Sequence, residues 1–389
     1  MKRIAAFCFF LLSIGTIAHA QQKGKTYLFV GSYTGGKPDR GIHVFSFNSK
    51  SGALKEEGAA YDLTNPSYIT LSPDGQYLYA CADTKMPDTG SVMAFKIDSL
   101  NGSLKFLNRQ SSGGDNPVYL SVDHSGRYII NANYSGGSVS VFKTNTDGSL
   151  QPRLQNIFFP GSSIVPDRQE KSHIHAAVYS PQCDFVFLPD LGTDKIWIFG
   201  FDTTQAQPLE RLKDYQELAI PGSGPRHFTF HPGGQFAYCI EELSGMVSSY
   251  TYHNGMLDSI QRIYANSNSH ELCRSADIHI SPDGRFLYVS NRDDGENNIA
   301  IFSIDQAKGM LTFVGHQSTY GDHPRNFTID PTGRFLLVAN MASNTIVVFR
   351  RDMKTGLLKK TKTEIRVPSP SCLQIRSYGK EQGAVGNEE

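Results

Sequence analysis

The chain has 389 residues, with 37 Lys+Arg against 37 Asp+Glu, so its formal net charge is zero. That balance excludes the surplus of positive charge by which non-specific nucleic-acid binders hold phosphate backbones. The hydrophobic share of 39% and charged share of 19% are those of a globular protein, and 36 glycines, 24 phenylalanines and 18 tyrosines favour strands and tight turns.

In chain order, the first element is a leader. Lys2 and Arg3 form a short basic start, Ile4 to Ile17 is an apolar run, and Ala18-His19-Ala20 suits a cleavage site. Residues 1–20 therefore read as a secretory signal peptide. The run is shorter than the ~20 residues a membrane span needs. Cys8 lies inside it, too far upstream of the cleavage site for a lipid-anchored start. The expected location is periplasmic or secreted, with no stable membrane insertion after cleavage. The mature chain keeps 35 basic and 37 acidic residues, a net charge of −2. Its five cysteines are Cys81, Cys183, Cys239, Cys273 and Cys372. An odd, scattered set is not a disulfide framework. One or two bridges are compatible with an oxidising compartment, but buried free thiols are the expectation.

From residue 21 to 378 the chain repeats one unit. Turn segments begin at Ser72, Asp123, Ser180, His231, Ser281 and Asp330, separated by 51, 57, 51, 50 and 49 residues. Each copy has an alternating run (Pro66-Ser-Tyr-Ile-Thr-Leu), a Pro/Asp/Gly turn, an apolar run (Tyr77-Leu-Tyr-Ala-Cys), a third run, and a polar fourth run after an Asn-Gly or Asp-Gly hairpin. Period-two alternation between such turns marks antiparallel strands, and four strands per ~50 residues is a β-propeller blade. Tyr27-Leu-Phe-Val-Gly and Gly41-Ile-His-Val-Phe-Ser-Phe match a second and third strand with no first; Pro370-Ser-Cys-Leu-Gln-Ile matches a first strand with none after. The expected fold is all-β: a seven-bladed propeller of four-stranded antiparallel blades, closed by pairing the N- and C-terminal strands, which removes the exposed sheet edges. Residues 379–389 read as a disordered tail.

The repeat register also isolates unusual residues at one mouth of the central channel. Five residues before each turn start stand Ser67, Val118, His175, Arg226, Ala276 and Arg325; eleven after it stand Asp83, Tyr134, Leu191, Glu242, Arg292 and Met341, with Tyr33 as the N-terminal counterpart. Charged and aromatic residues gather in columns that a scaffold alone would leave small or apolar. Each also has a structural reading: Arg226–Glu242 as an ion pair, Arg292 and Arg325 as rim charges, His175 as a core histidine. His173 accompanies His175 without a third ligand, so no metal is expected, nor any other cofactor. The longest interval includes Gly161-Ser-Ser-Ile-Val-Pro-Asp-Arg-Gln-Glu-Lys-Ser, which reads either as a lid carrying Arg168 and Gln169 or as a variable surface loop.

Several segments carry a family resemblance: Asn131-Ala-Asn-Tyr-Ser-Gly-Gly, Asp167-Arg-Gln-Glu-Lys-Ser-His-Ile-His, Pro189-Asp-Leu-Gly-Thr-Asp-Lys-Ile, Gly224-Pro-Arg-His-Phe and Glu242-Leu-Ser. Along the whole mature chain the sequence resembles the seven-bladed lactonases, which include propeller-type 6-phosphogluconolactonase and 3-carboxy-cis,cis-muconate lactonizing enzyme. The resemblance implies a hydrolase of carbohydrate (glucose) metabolism that opens a small-molecule lactone. It places the catalytic set on His175, Glu242, Arg226 and Arg292. Arg325, Arg168, Gln169, Asp83 and Tyr33 are the expected substrate-binding residues. Glu241-Glu242 departs from the expected Asn-Glu, and the added carboxylate is a candidate to alter the ionisation of Glu242. The expected chemistry is direct attack of water, with Glu242 as base, His175 as acid and Arg226 or Arg292 on the developing oxyanion. Export favours an unphosphorylated sugar lactone. Two alternatives stay open: a muconate cycloisomerase, and a non-catalytic envelope propeller that binds a ligand or partner.

Overall fold

The computed structural model describes residues 24–379 apart from 88–89, 268–272 and 294. The expected leader therefore lies outside the described residues, as does the tail from 380 onward. The described chain forms seven four-stranded antiparallel sheets. Blade one holds Tyr68–Leu71, Tyr77–Ala82, Ser91–Ile97 and Leu104–Ser111; blade six runs from Pro324–Ile329 to Leu358–Arg366. Blade seven is composite. Its inner strand is Pro370–Tyr378, which pairs with Lys25–Ser32, Leu28 lying opposite Ile375. The ring thus closes as its offset ends require, the C-terminal strand completing the sheet that the N-terminal strands begin.

The turns explain the register. In blade five the Ser281 hydroxyl donates to the Asp283 carboxylate (2.5 Å) and accepts from the Phe286 amide (3.1 Å), while the Gly284 amide returns to the Ser281 carbonyl (2.8 Å). Asp123 and Asp330 do the same work with their own carboxylates, accepting the amides of Tyr128 and Phe335 at 2.7 Å. Each copy therefore starts its second strand at the same place. Second strands such as Tyr128–Asn133 and Phe335–Asn340 are buried throughout, whereas outer strands alternate towards solvent. Neighbouring blades lock through a repeated device. Tyr79, Tyr238 and Tyr288 each donate a hydroxyl hydrogen bond, at 2.8–3.1 Å, to the hairpin carbonyl of Gly148, Gly309 and Gly356 in the next blade. Gly356 has φ +76°, and a Cβ there would lie 2.3 Å from the Phe286 ring, so the site is open to glycine only.

Blade three departs from the pattern. Its inner strand shrinks to Val178–Tyr179, with one isolated bridge upstream between Ile174 and Asp190. Asp190 replaces the missing ladder. Its carboxylate accepts from the His173 and Gly192 amides, the Ser172 and Thr193 hydroxyls and the Trp197 indole. This cluster anchors the long loop and fixes the segment that carries His175. Cys81, Cys183, Cys239 and Cys372 are free thiols, Cys183 half-buried and the other three buried, and Cys273 is buried as well. No helix among the described residues is long and apolar enough to cross a membrane.

Candidate functional site

In blades two, four, six and seven the residue after the second strand is held by the residue that leads into the inner strand of the same blade. The amides of Tyr33, Tyr134, Glu242 and Met341 bond to the carbonyls of Ser369, Asn116, Gly224 and His323 at 2.7–3.1 Å. These bonds put the two divergent columns on one rim. There a cavity of about 180 Å³ is walled by Tyr33, Lys85, Asn116, Val118, Tyr134, Arg168, His175, Glu242, Arg292 and Arg325.

Glu242 is the centre. Its Oε1 accepts from Arg168 Nη2 at 2.5 Å; its Oε2 accepts from Arg226 Nε at 2.9 Å and Arg292 Nη2 at 3.0 Å. Burial opposes its charge, but Arg292, Arg226 and Arg168 together hold its carboxyl well below the usual carboxylate range. Arg226 is only 1% exposed. Its Nη1 donates to the Ala276 carbonyl, which faces it away from the cavity. Burial and Arg292 push its guanidinium down to about 9, so it stays charged at neutral pH. Arg292 is fixed three ways: Nε to the Arg274 carbonyl, Nη1 to His323 Nε2 and Nη2 to Glu242, each at 3.0 Å.

His175 packs edge-on against Tyr134 and His227, ring centres 5.3 and 5.2 Å apart, and among the described residues its buried Nδ1 has no hydrogen-bond partner. Burial, then Arg226, His227 and Arg325, press its pKa well below the ordinary imidazole value, so it is neutral. On the far wall, Lys85 sits 4.4 Å and Arg325 5.7 Å from the Tyr33 ring centre. Burial raises the Tyr33 pKa, but Arg325 and Lys85 outweigh it and pull the phenol below its usual value. Among the described residues, neither Arg325 nor Lys85 has a carboxylate partner.

Tyr33, Arg168, His175, Glu242, Arg292 and Arg325 thus converge. Four expectations need correction. Asp83 does not reach the cavity. Its φ is +55°, unlike its counterparts Tyr134, Glu242 and Arg292, and the reversal turns its carboxylate outward to Ser91 Oγ (2.5 Å) and Arg109 (3.7 Å). Gln169 is a strut inside the loop, accepting from the Val165 amide (3.1 Å) and donating to the Leu191 carbonyl (2.8 Å). Arg226 stands behind Glu242 and cannot meet a substrate oxyanion directly. The starting roles of Glu242 as base and His175 as acid also need revision: three guanidinium groups hold the carboxylate ionised and engaged, and the imidazole starts neutral, so it takes up a proton before it can give one. Glu241 does not disturb Glu242, because its side chain turns into the sheet, where Ser244, Ser248 and Arg262 saturate it. His173 stacks on Tyr134 at 4.3 Å, and both its nitrogens are engaged, with the Tyr134 carbonyl and Glu170.

Sequence reasoning missed Lys85, Asn116 and His323. All three lie in loops between strands, where alternation no longer sets direction. It also passed over His227, whose Nδ1 lies 2.7 Å from Asp277.

Comparison with known proteins adds an independent observation. Residues 27–375 match the family model described as "Lactonase, 7-bladed beta-propeller". A 6-phosphogluconolactonase of Formosa agariphila is 46% identical over 351 residues, covering 90% of this chain and 99% of that protein. The 6-phosphogluconolactonase of Bacillus subtilis is 36% identical over 356 residues, covering 89% and 97%. Among solved structures, the periplasmic gluconolactonase of Pseudomonas aeruginosa superposes with a TM-score of 0.85 at 36% identity, covering 91% of this chain and 99% of that one.

Proposed function

Because the chain belongs to the seven-bladed β-propeller lactonase family, we propose that its mouth cavity opens a sugar-type lactone by direct attack of water. The protein is a lactone hydrolase of the 6-phosphogluconolactonase kind. The observation that carries the chemistry is a charge imbalance. One carboxylate neutralises part of a cluster of three guanidinium groups, and among the described residues Arg325 and Lys85 have no carboxylate partner beside a neutral imidazole. Such a cavity suits negative charge that appears only during reaction, first on the carbonyl oxygen and then on the product carboxylate.

Arg292, with Arg325 beside it, draws the carbonyl oxygen. Neutral His175 takes a proton from the water as its oxygen bonds to the carbonyl carbon; when the intermediate collapses and the carbonyl carbon's bond to the ring oxygen breaks, the imidazolium returns that proton to the ring oxygen, leaving the open hydroxy acid. The basicity of His175 is low in the empty site because burial and the arginines depress it, and the developing oxyanion offsets those same cations as the attack proceeds. Glu242 and Arg226 hold the guanidinium cluster in place rather than exchange protons. Arg168 brings the loop down onto Glu242 and closes one side of the cavity. The leader-like residues 1–20 and the periplasmic relative support action outside the cytoplasm, where an unphosphorylated aldonolactone is the available substrate.

The test is a panel of δ-gluconolactone, its 6-phosphate and unrelated lactones, followed by pH-stat on the wild type and on His175→Ala. Turnover of a sugar lactone by the wild type, lowered about 10²–10⁴-fold in the variant, is expected. Failure to open any lactone, or a variant as fast as the wild type, refutes the proposal.

A further inference from the structure

Seven residues before each turn start, the repeat uses one backbone position for one task. The residues there are Asn65, Asn116, His173, Gly224, Arg274 and His323. Several take the left-handed region: φ is +44° at Asn65, +56° at Asn116, +64° at Gly224 and +58° at His323. Glycine takes that conformation without cost, and asparagine and histidine are among the side chains that visit it most readily.

In several blades the side chain at this position reaches back to the preceding blade. Asn65 Oδ1 accepts the Thr34 and Gly36 amides (2.9 and 3.1 Å), and Asn116 Oδ1 accepts the Lys85 amide (3.2 Å). In blade six the acceptor is instead His323 Nε2, and its donor is the Arg292 guanidinium of blade five at 3.0 Å. The His323 amide is itself tied to Asn297 Oδ1 of blade five at 2.8 Å. Where three other blades place asparagine or glycine in this conformation, blade six places a histidine whose ring nitrogen touches a cavity arginine.

We propose that His323 is a positioning residue that aims Arg292 at the reacting carbonyl. The inference rests on the lactonase reading given above. Arg292 has five N–H donors. The Arg274 carbonyl, Glu242 and His323 engage one on each of its three nitrogens, which leaves two for a ligand. The imidazole must be neutral to accept, and burial together with Arg292 brings its pKa down to about 3. An oxygen acceptor of similar reach would serve; a ring of similar shape without one would leave the guanidinium free to swing.

The experiment compares wild type, His323→Phe and His323→Gln on the best lactone of the panel. The phenylalanine variant is expected to lose about 10–100-fold in kcat with KM within about threefold, and the glutamine variant to stay within about threefold of wild type in both. Equal kcat in wild type and His323→Phe, equal losses in the two variants, or a change confined to KM would overturn it. If the wild type opens no lactone, the function above falls. The same three proteins are then titrated with gluconate by calorimetry. Affinity weakened about tenfold in His323→Phe and kept in His323→Gln supports the positioning of Arg292; any other pattern overturns it.

Discussion

Replacing Glu242 by glutamine tests the centre of the site without changing its shape. The carboxylate meets three guanidinium groups at 2.5–3.0 Å while only 4% exposed. An amide of the same size keeps one acceptor but turns an NH₂ towards an arginine. Arg226, which is wholly buried, then loses its counter-charge. Removing one member of a buried ion pair typically costs about 3–5 kcal/mol. With an unfolding entropy of about 2.1 cal/mol/K per residue over the ~350 residues of the ring, that corresponds to a Tm lower by about 4–7 °C. The pH dependence has a definite sign. The folded pKa of Glu242 lies below the usual range, so its stabilisation is present above the unfolded value of about 4.3 and disappears as pH falls through the folded one. Glu242→Gln should therefore be less stable than wild type at pH 7 in urea unfolding, with the gap narrowing steadily below about pH 4. Lactone turnover should fall with it, because Arg292 loses one of its three fixed contacts. A variant with Tm within about 1 °C of wild type, or a gap unchanged between pH 7 and pH 3, would refute this account of the cluster.

Two further outcomes follow from the same geometry. If His175 is the base, kcat/KM should stay level from pH 8 down past 6.5 and decline only in more acid solution, because its folded pKa lies well below the ordinary imidazole value; an acid limb centred at or above about 6.5 contradicts the assignment. Gly192→Ala should damage the site from a distance, since a Cβ there would sit 1.8 Å from the Lys171 carbonyl oxygen and 2.9 Å from the His173 nitrogen, displacing the segment that leads to His175. We expect a loss of more than about 2 kcal/mol by urea unfolding and a fall in kcat, with Gly200→Ala, whose Cβ would meet only the Leu212 side chain at 3.6 Å, as the control that stays near wild type.

Much of the architecture was legible because a repeat reports its own register. Six turns, five with a serine or aspartate and one with His231 at the first position, set where each second strand begins, and that one constraint carries forward eleven residues to Tyr134, Glu242 and Arg292. Counting stops working where the backbone leaves the strand geometry. Asp83 shares the column of Glu242, yet a positive φ turns it towards the outer strands, and Lys85 enters the cavity from the same loop. Nothing in period-two alternation encodes that exchange.

Roles were less legible than positions, for an electrostatic reason. Histidine, arginine and glutamate in one arc suggest acid–base chemistry by residue type alone, but protonation depends on how many partners each group meets. Glu242 looks like a base until three guanidinium groups are counted around it; His175 looks like a resting cation until its burial is. The converse holds for Arg226, which the columns put at the mouth and whose guanidinium turns back to the Ala276 carbonyl of the next blade. A propeller builds its mouth from several blades at once, so each side chain's environment is supplied mostly by residues ~50 positions away. The 16-residue spacing of Arg226 and Glu242 was within reach of a sequence pattern; the 50- and 74-residue separations of Glu242 from Arg292 and Arg168 became meaningful only once the ring had closed.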